Sequence, residues 1–136
     1  MNQHPYLRAY MAGIVVPTIV LLFGLTSFTV ARYVYNVPLP IERLIVFPMA
    51  VVPNLWGFWN ILFVASRSRT HFSLGIHGML LPLILVPLGL LLIRAFDFSI
   101  PFAAAILPVG VPLALIVYYL VWKYVVASLN QILGLA

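Results

Sequence analysis

The sequence reads as an all-α integral membrane protein, a single membrane domain over residues 1–136 built as a four-transmembrane-helix antiparallel bundle. Composition, charge spacing and connector length carry this reading. Of the 136 residues 65% are apolar and only 7% charged, whereas soluble domains carry about a quarter charged residues. A soluble fold this small leaves a large share of its surface in water and has nowhere to hide so much apolar area. The nine charges are Arg8, Arg32, Glu42, Arg43, Arg67, Arg69, Arg94, Asp97 and Lys123, and between them lie charge-free windows at 9–31, 44–66, 70–93 and 98–122. A helix rises ~1.5 Å per residue, so roughly 20 residues cross a hydrocarbon core of ~30 Å. All four windows reach that length.

Each span follows from the same physics. Lipid offers no partner to an open backbone group, so segments of this kind are helices. The strands of a membrane barrel would alternate in polarity over about ten residues, and nothing here alternates. The first span, about 9–31, is too long for the apolar region of a cleaved signal peptide. Arg32-Tyr33 follows it without a small-x-small cleavage site, so it is expected to stay. The second, third and fourth spans are expected at about 44–66, 72–94 and 99–123. The first connector, Arg32 to Arg43, holds Pro38 and Pro40 and reads as an extended crossing. The second is little more than residues 66–70, and the third is about Arg94 to Ser99. Connectors this short set consecutive helices side by side and antiparallel.

Lys and Arg counts set the orientation. Arg8, Arg67, Arg69 and Lys123 fall on the side of the termini, against Arg32, Arg43 and Arg94 on the other. The narrow excess and the compact Arg67–Arg69 pair favour both termini in the cytoplasm. Tyr6, Tyr10, Trp59, Trp122 and Tyr124 are expected in an aromatic belt at one interface, and Tyr33 and Tyr35 at the other.

Eleven prolines punctuate the chain. An interior proline removes a helical hydrogen bond, so kinks are expected, in spans two and four near Pro48–Pro53 and Pro108–Pro112. Val16-Pro17 precedes Gly24-Leu25 as Leu81-Pro82 precedes Gly89-Leu90, a spacing consistent with a 2+2 internal repeat about an axis along the membrane normal. The same spacing arises by chance where proline and glycine are frequent.

Polar residues inside spans are the places to look for chemistry. Thr18, Thr26, Ser27 and Thr29 can bond back to their own helix carbonyls. Asn54, Asn60 and His77 are candidate intramembrane polar contacts. Asn60 and His77 lie at similar distances on either side of the second connector, so a hydrogen bond between them is expected across the hairpin. His77 reads either as a structural clamp or, with an ordinary pKa of ~6.5, as a proton carrier or ligand contact. A charge cluster of Arg32, Glu42, Arg43, Arg94 and Asp97 at the opposite surface reads as headgroup anchors with local ion pairs, or as a mouth selecting an anionic solute. Arg67 and Arg69, with His71, read as contacts to anionic lipid headgroups.

Several classes are disfavoured. The chain has no cysteine, hence no disulfide and no thiolate ligand or nucleophile. Haem held by two histidines finds only His77 within a span, and zinc lacks convergent ligands. No phosphate-binding loop, metalloprotease or hydrolase signature is present, and no basic aromatic groove suggests nucleic acid. Neither an enzyme nor a cofactor is expected. The stretch Pro53-Asn54-Leu55-Trp56-Gly57-Phe58-Trp59-Asn60-Ile61-Leu62-Phe63 resembles the Trp-rich helix of the tryptophan-rich sensory (translocator) family. That family has five spans, and the resemblance covers these eleven residues only. Two functions from different classes remain: a non-enzymatic membrane-embedded subunit or scaffold that packs against other membrane chains, and a small homo-oligomeric carrier or channel for a small solute.

Overall fold

The computed structural model describes residues 4–38, 49–95, 97 and 103–135, all in helices and their connections, with no strand among the described residues. The helices are α1 (Pro5–Tyr33), α2 (Val52–Ser66), α3 (Leu74–Met79), α4 (Leu81–Ala95), α5 (Ala103–Leu120) and α6 (Ala127–Ile132). A π-helical segment, Val121–Val126, joins α5 to α6 without interruption. Four stretches are long and apolar enough to cross a membrane: Pro5–Tyr33, Met49–Ser66, Leu74–Ala95 and Ala105–Ile132. Their number is the four read from the charge spacing, while the expected starts of the second and fourth spans, 44–48 and 99–102, lie outside the described residues. The last runs to Ile132, well beyond its expected end at 123.

Lys123 explains the difference. Its ammonium lies 5.4 Å from the ring centroids of both Tyr119 and Tyr124. A long stem and two aromatic faces let a cation sit on the flank of a continuing apolar helix. A charge therefore need not end a span.

Residues 49–51, just before Pro53, are π-helical; elsewhere several prolines stand in helices that run on past them. Pro17, Pro87, Pro108 and Pro112 all stand inside continuous helices. The interruption comes at Leu80, between α3 and α4. Pro82 lacks the N–H that would bond the Gly78 carbonyl, and its ring crowds that carbonyl. The chain instead makes shorter-range bonds, from Leu80 N–H to His77 O at 3.3 Å and from Leu83 N–H to Leu80 O at 3.2 Å. Pro48 lies outside the described residues.

Small residues decide which helices meet. The most extensive packing is α1 on α2, while α3 packs on α5 and the π segment. Ala9, Ala12 and Gly13 of α1 are buried, and Ala9 and Gly13, which meet α2, have an Ala-xxx-Gly spacing that lets two backbones approach closely. A β-carbon on Gly13 would fall 2.6 Å from the Trp56 carbonyl oxygen and 2.8 Å from Gly57 Cα. A β-carbon on Gly57 would fall 2.5 Å from the Tyr10 ring. Across the molecule, Gly78 of α3 makes room for Trp122. Trp122 is completely buried, with Trp56, Leu81, Leu85 and Val126 around it. It is a core residue, not a member of the interfacial belt that its place near the end of the fourth window suggested.

Overpacking at a backbone contact costs about 1–3 kcal/mol. Gly13→Val is therefore expected to lower thermal stability in detergent, followed by circular dichroism. Gly24→Ala is the control: nothing stands within 4 Å of the β-carbon it adds, and alanine favours helix over glycine by about 1 kcal/mol. It should be neutral or slightly stabilising.

Candidate functional site

Two polar clusters, adjoining in the bundle, hold the buried polar residues Asn60, Asn130 and His77. The first is an amide pair. Asn60 of α2 and Asn130 of α6 are both buried, at 0% and 4% exposure. Each donates to the other: Asn60 Nδ2 to Asn130 Oδ1 at 2.8 Å, and Asn130 Nδ2 to Asn60 Oδ1 at 3.1 Å. The second N–H of Asn60 donates to the Ala9 backbone carbonyl at 2.8 Å. Three helices are thus tied at one point. The bond to Ala9 needs the close approach that Ala9, Gly13 and Gly57 permit.

Helical geometry explains how Asn130 arrives there. Tyr118, Trp122, Val126 and Asn130 follow one another at intervals of four. An α-helix turns ~100° per residue, so each such step overshoots a full turn by ~40°. The i→i+5 bonding of Val121–Val126 puts more residues in each turn and absorbs that drift. Trp122, Val126 and Asn130 consequently all face inward.

The same end of the molecule carries a closed helix terminus. Gly134, at φ 69°, takes the left-handed conformation that ends the last helix. Leu135 N–H then bonds Asn130 O at 2.8 Å and Gly134 N–H bonds Gln131 O at 2.9 Å, the paired closure called a Schellman motif. Arg8 donates to the Leu133 carbonyl at 3.3 Å, and Arg67 donates to the Leu135 carbonyl. Two cations on helix-terminal carbonyls also complement the negative end of the helix dipole. Arg67 therefore has an internal partner besides any lipid, while Arg69 and His71 are exposed.

The second cluster is aromatic. Trp59 Nε1–H donates to the His77 backbone carbonyl at 2.7 Å, and His77 Nε2 is 2.9 Å from the Trp59 carbonyl. A carbonyl only accepts, so Nε2 is the protonated nitrogen. The two rings stack with centroids 4.8 Å apart, and Phe63 and Trp122 lie 5.3 and 6.2 Å from the same imidazole. Trp56 continues the cluster, 5.3 Å from Trp122 and 4.9 Å from Tyr118, and its Nε1–H donates to the Tyr118 hydroxyl at 3.3 Å. Trp122 Nε1 is buried without a hydrogen-bond partner among the described residues.

The expected Asn60–His77 bond is replaced by these two reciprocal pairs. Both residues are buried where α2 meets its neighbours, but the Asn60 amide is filled by Asn130 and Ala9, and His77 is held by Trp59. Asn130 was missed because Lys123 seemed to close the span. It stands in a charge-free run from 124 to 135, where Ser128 and Gln131 are the other polar residues; the missing charge is the signal that this run continues the span. Asn54 is exposed, accepts from the Tyr10 hydroxyl and donates to the Ala50 carbonyl at 2.6 Å. Thr26, Ser27 and Thr29 bond back to carbonyls four residues earlier, as their type predicts.

Of the expected charge cluster, Glu42 and Arg43 lie outside the described residues. Arg32 lies over the Tyr33 ring at 5.6 Å, and Arg94 and Asp97 are joined through their backbones at 3.3 Å. Among the described residues no group of three or more His, Asp or Glu is arranged to hold a metal ion. No protein-family model, curated protein or solved structure matches this chain.

A double-mutant cycle measures the amide pair. Removing one member takes away the other's amide partner, leaving Asn60 only its bond to the Ala9 carbonyl, a loss of about 1–3 kcal/mol. Asn60→Leu and Asn130→Leu should each destabilise the protein in detergent. The double variant should cost less than their sum, with a coupling of about 0.6 kcal/mol, the average for hydrogen bonds between membrane helices, and at most about 1.7 kcal/mol. Strict additivity would show that the two side chains do not meet.

Proposed function

We propose that this chain is a non-enzymatic multi-pass membrane protein that serves as a membrane-embedded subunit or scaffold, packing against lipids and other membrane chains. The observation that carries the reading is the use made of its buried polar side chains. Asn60, Asn130 and His77 turn their hydrogen bonds on one another's helices. Chemistry or solute passage needs polar groups open to a substrate, and these are engaged in packing. The long helices meanwhile turn large apolar side chains outward, among them Phe23 at 71%, Val109 at 70% and Ile132 at 77% exposure. Such faces suit lipid or the helix of another chain.

The reading includes four antiparallel spans with the N-terminus, the 67–73 connection and the C-terminus on the cytoplasmic side. The bonds from Arg8 and Arg67 to Leu133 and Leu135 support a common end, and the Lys and Arg count supports its cytoplasmic side. A 2+2 repeat with proline-kinked helices rests on the proline and glycine spacing alone. The carrier or channel alternative would need a homo-oligomer, since one bundle of this size has little room for an enclosed path.

Native mass measurement of the protein extracted in mild detergent tests the reading. Membrane chains of other sequence co-purifying at fixed stoichiometry are the expected result. A symmetric homo-oligomer that conducts a solute when placed in vesicles would overturn it in favour of the carrier. Reporters fused to the two termini should both read the cytoplasmic side.

A further inference from the structure

Between α1, α2 and α5 lies a crevice of about 220 Å³, whose wall includes Val16, Pro17, Val20, Val52, Trp56 and Tyr118. It lies half-way along the two longest helices: residues 16–21 are near the centre of Pro5–Tyr33, and 117–121 near the centre of Ala105–Ile132. Its lining is aliphatic and aromatic except at Tyr118. The Tyr118 oxygen accepts from Trp56 Nε1–H at 3.3 Å, and its own O–H proton has no acceptor among the described residues. A hydroxyl carries one donor as well as its acceptor sites, so an unused donor remains at this wall.

Volume and depth narrow what fits. The crevice falls between the ~150 Å³ cavity that takes a benzene ring and the ~300 Å³ at which drug-sized pockets begin. One ring or a short length of chain fills it. A plain acyl chain would leave the hydroxyl proton unmatched, which costs free energy in an apolar setting. The ester carbonyls of phospholipids sit at the edges of a ~30 Å core, roughly 15 Å from its middle. The acceptor that meets Tyr118 must belong to a molecule that carries its oxygen to the middle of the membrane.

We propose that this crevice binds the ring of a lipophilic quinone-type carbonyl compound, with a ring oxygen accepting the Tyr118 hydroxyl proton and the ring lying against Trp56. The site is independent of whether the chain acts as a subunit or a carrier. It requires no redox step.

The test uses the full chain in detergent, titrated with a decyl-substituted benzoquinone while tryptophan fluorescence is read. Quinones quench indole emission, and Trp56 stands at the wall. Saturable quenching with one site per chain is expected. Tyr118→Phe, which removes only the hydroxyl, should weaken binding about tenfold. Val20→Phe, at a position 61% exposed and so tolerant of bulk, should abolish saturation by filling the crevice. Decylbenzene, with the same tail and no carbonyl, should compete at least tenfold less well. Quenching that rises linearly without saturation would overturn the proposal. So would equal binding of the quinone to the parent and Tyr118→Phe proteins, or equal competition by decylbenzene, since either would make the crevice an ordinary groove for lipid tails. If Tyr118→Phe unfolds, the Val20→Phe and decylbenzene results decide the matter by themselves.

Discussion

A buried amide pair between helices far apart in sequence constrains the rest of this molecule. Asn60 and Asn130 sit at 0% and 4% exposure, where an unmatched amide would cost several kcal/mol against water. Each must face the other, and Asn60 must also reach the Ala9 carbonyl. These bonds are modest in net gain, because the same amides find other partners when helices separate within a bilayer. Their force lies in the penalty for any arrangement that leaves them apart. The pair selects one rotation and one height for three helices.

Backbone features far from the amides serve that selection. Gly13 and Gly57 bring α1 against α2, so that a side chain as short as asparagine spans from one helix to the other's backbone. The π segment Val121–Val126 turns the last helix so that Asn130 follows Trp122 on the inner face. Arg8 and Arg67 then close the end of that helix from two other parts of the chain. Next to this knot, Trp59 and His77 exchange bonds with each other's main chain and hold α3 to α2. Within a medium that gives no hydrophobic drive between helices, small residues and reciprocal polar contacts are the forces left to specify a bundle.

Much of the architecture was legible in the sequence, for a simple reason. Charges inside a hydrocarbon layer are costly, so the gaps between Arg8, Arg32, Arg43, Arg67, Arg94 and Lys123 trace the spans. Among the described residues the rule fails at Lys123, whose stem and aromatic neighbours keep the cation tolerable on a helix that continues to Ile132. That failure hid Asn130. The importance of Asn60 and His77 was readable from polarity alone, whereas their partners depend on helix rotation, which similarity of depth does not specify. Trp122 looked like a belt residue because its amphipathic ring suits an interface. Only the facing Gly78 makes it a core residue, and that pairing is tertiary. Proline does not by itself mark a break: four prolines stand within continuous helices, whereas residues 49–51 before Pro53 are π-helical and Pro82 accompanies the interruption at Leu80.

The absence of cysteine from the chain makes the central claim directly measurable. With Asn60→Cys and Asn130→Cys introduced together, the two thiols are the only ones in the protein. In native membranes a short bifunctional thiol reagent should join them within one chain, seen as a fragment that stays linked after cleavage in the 67–73 connection. Asn54→Cys with Asn130→Cys gives the comparison, since Asn54 lies nearly two turns away and is exposed. The account predicts that the 60/130 pair links at least tenfold faster than the 54/130 pair. Equal rates, or faster linking of 54 to 130, would contradict it.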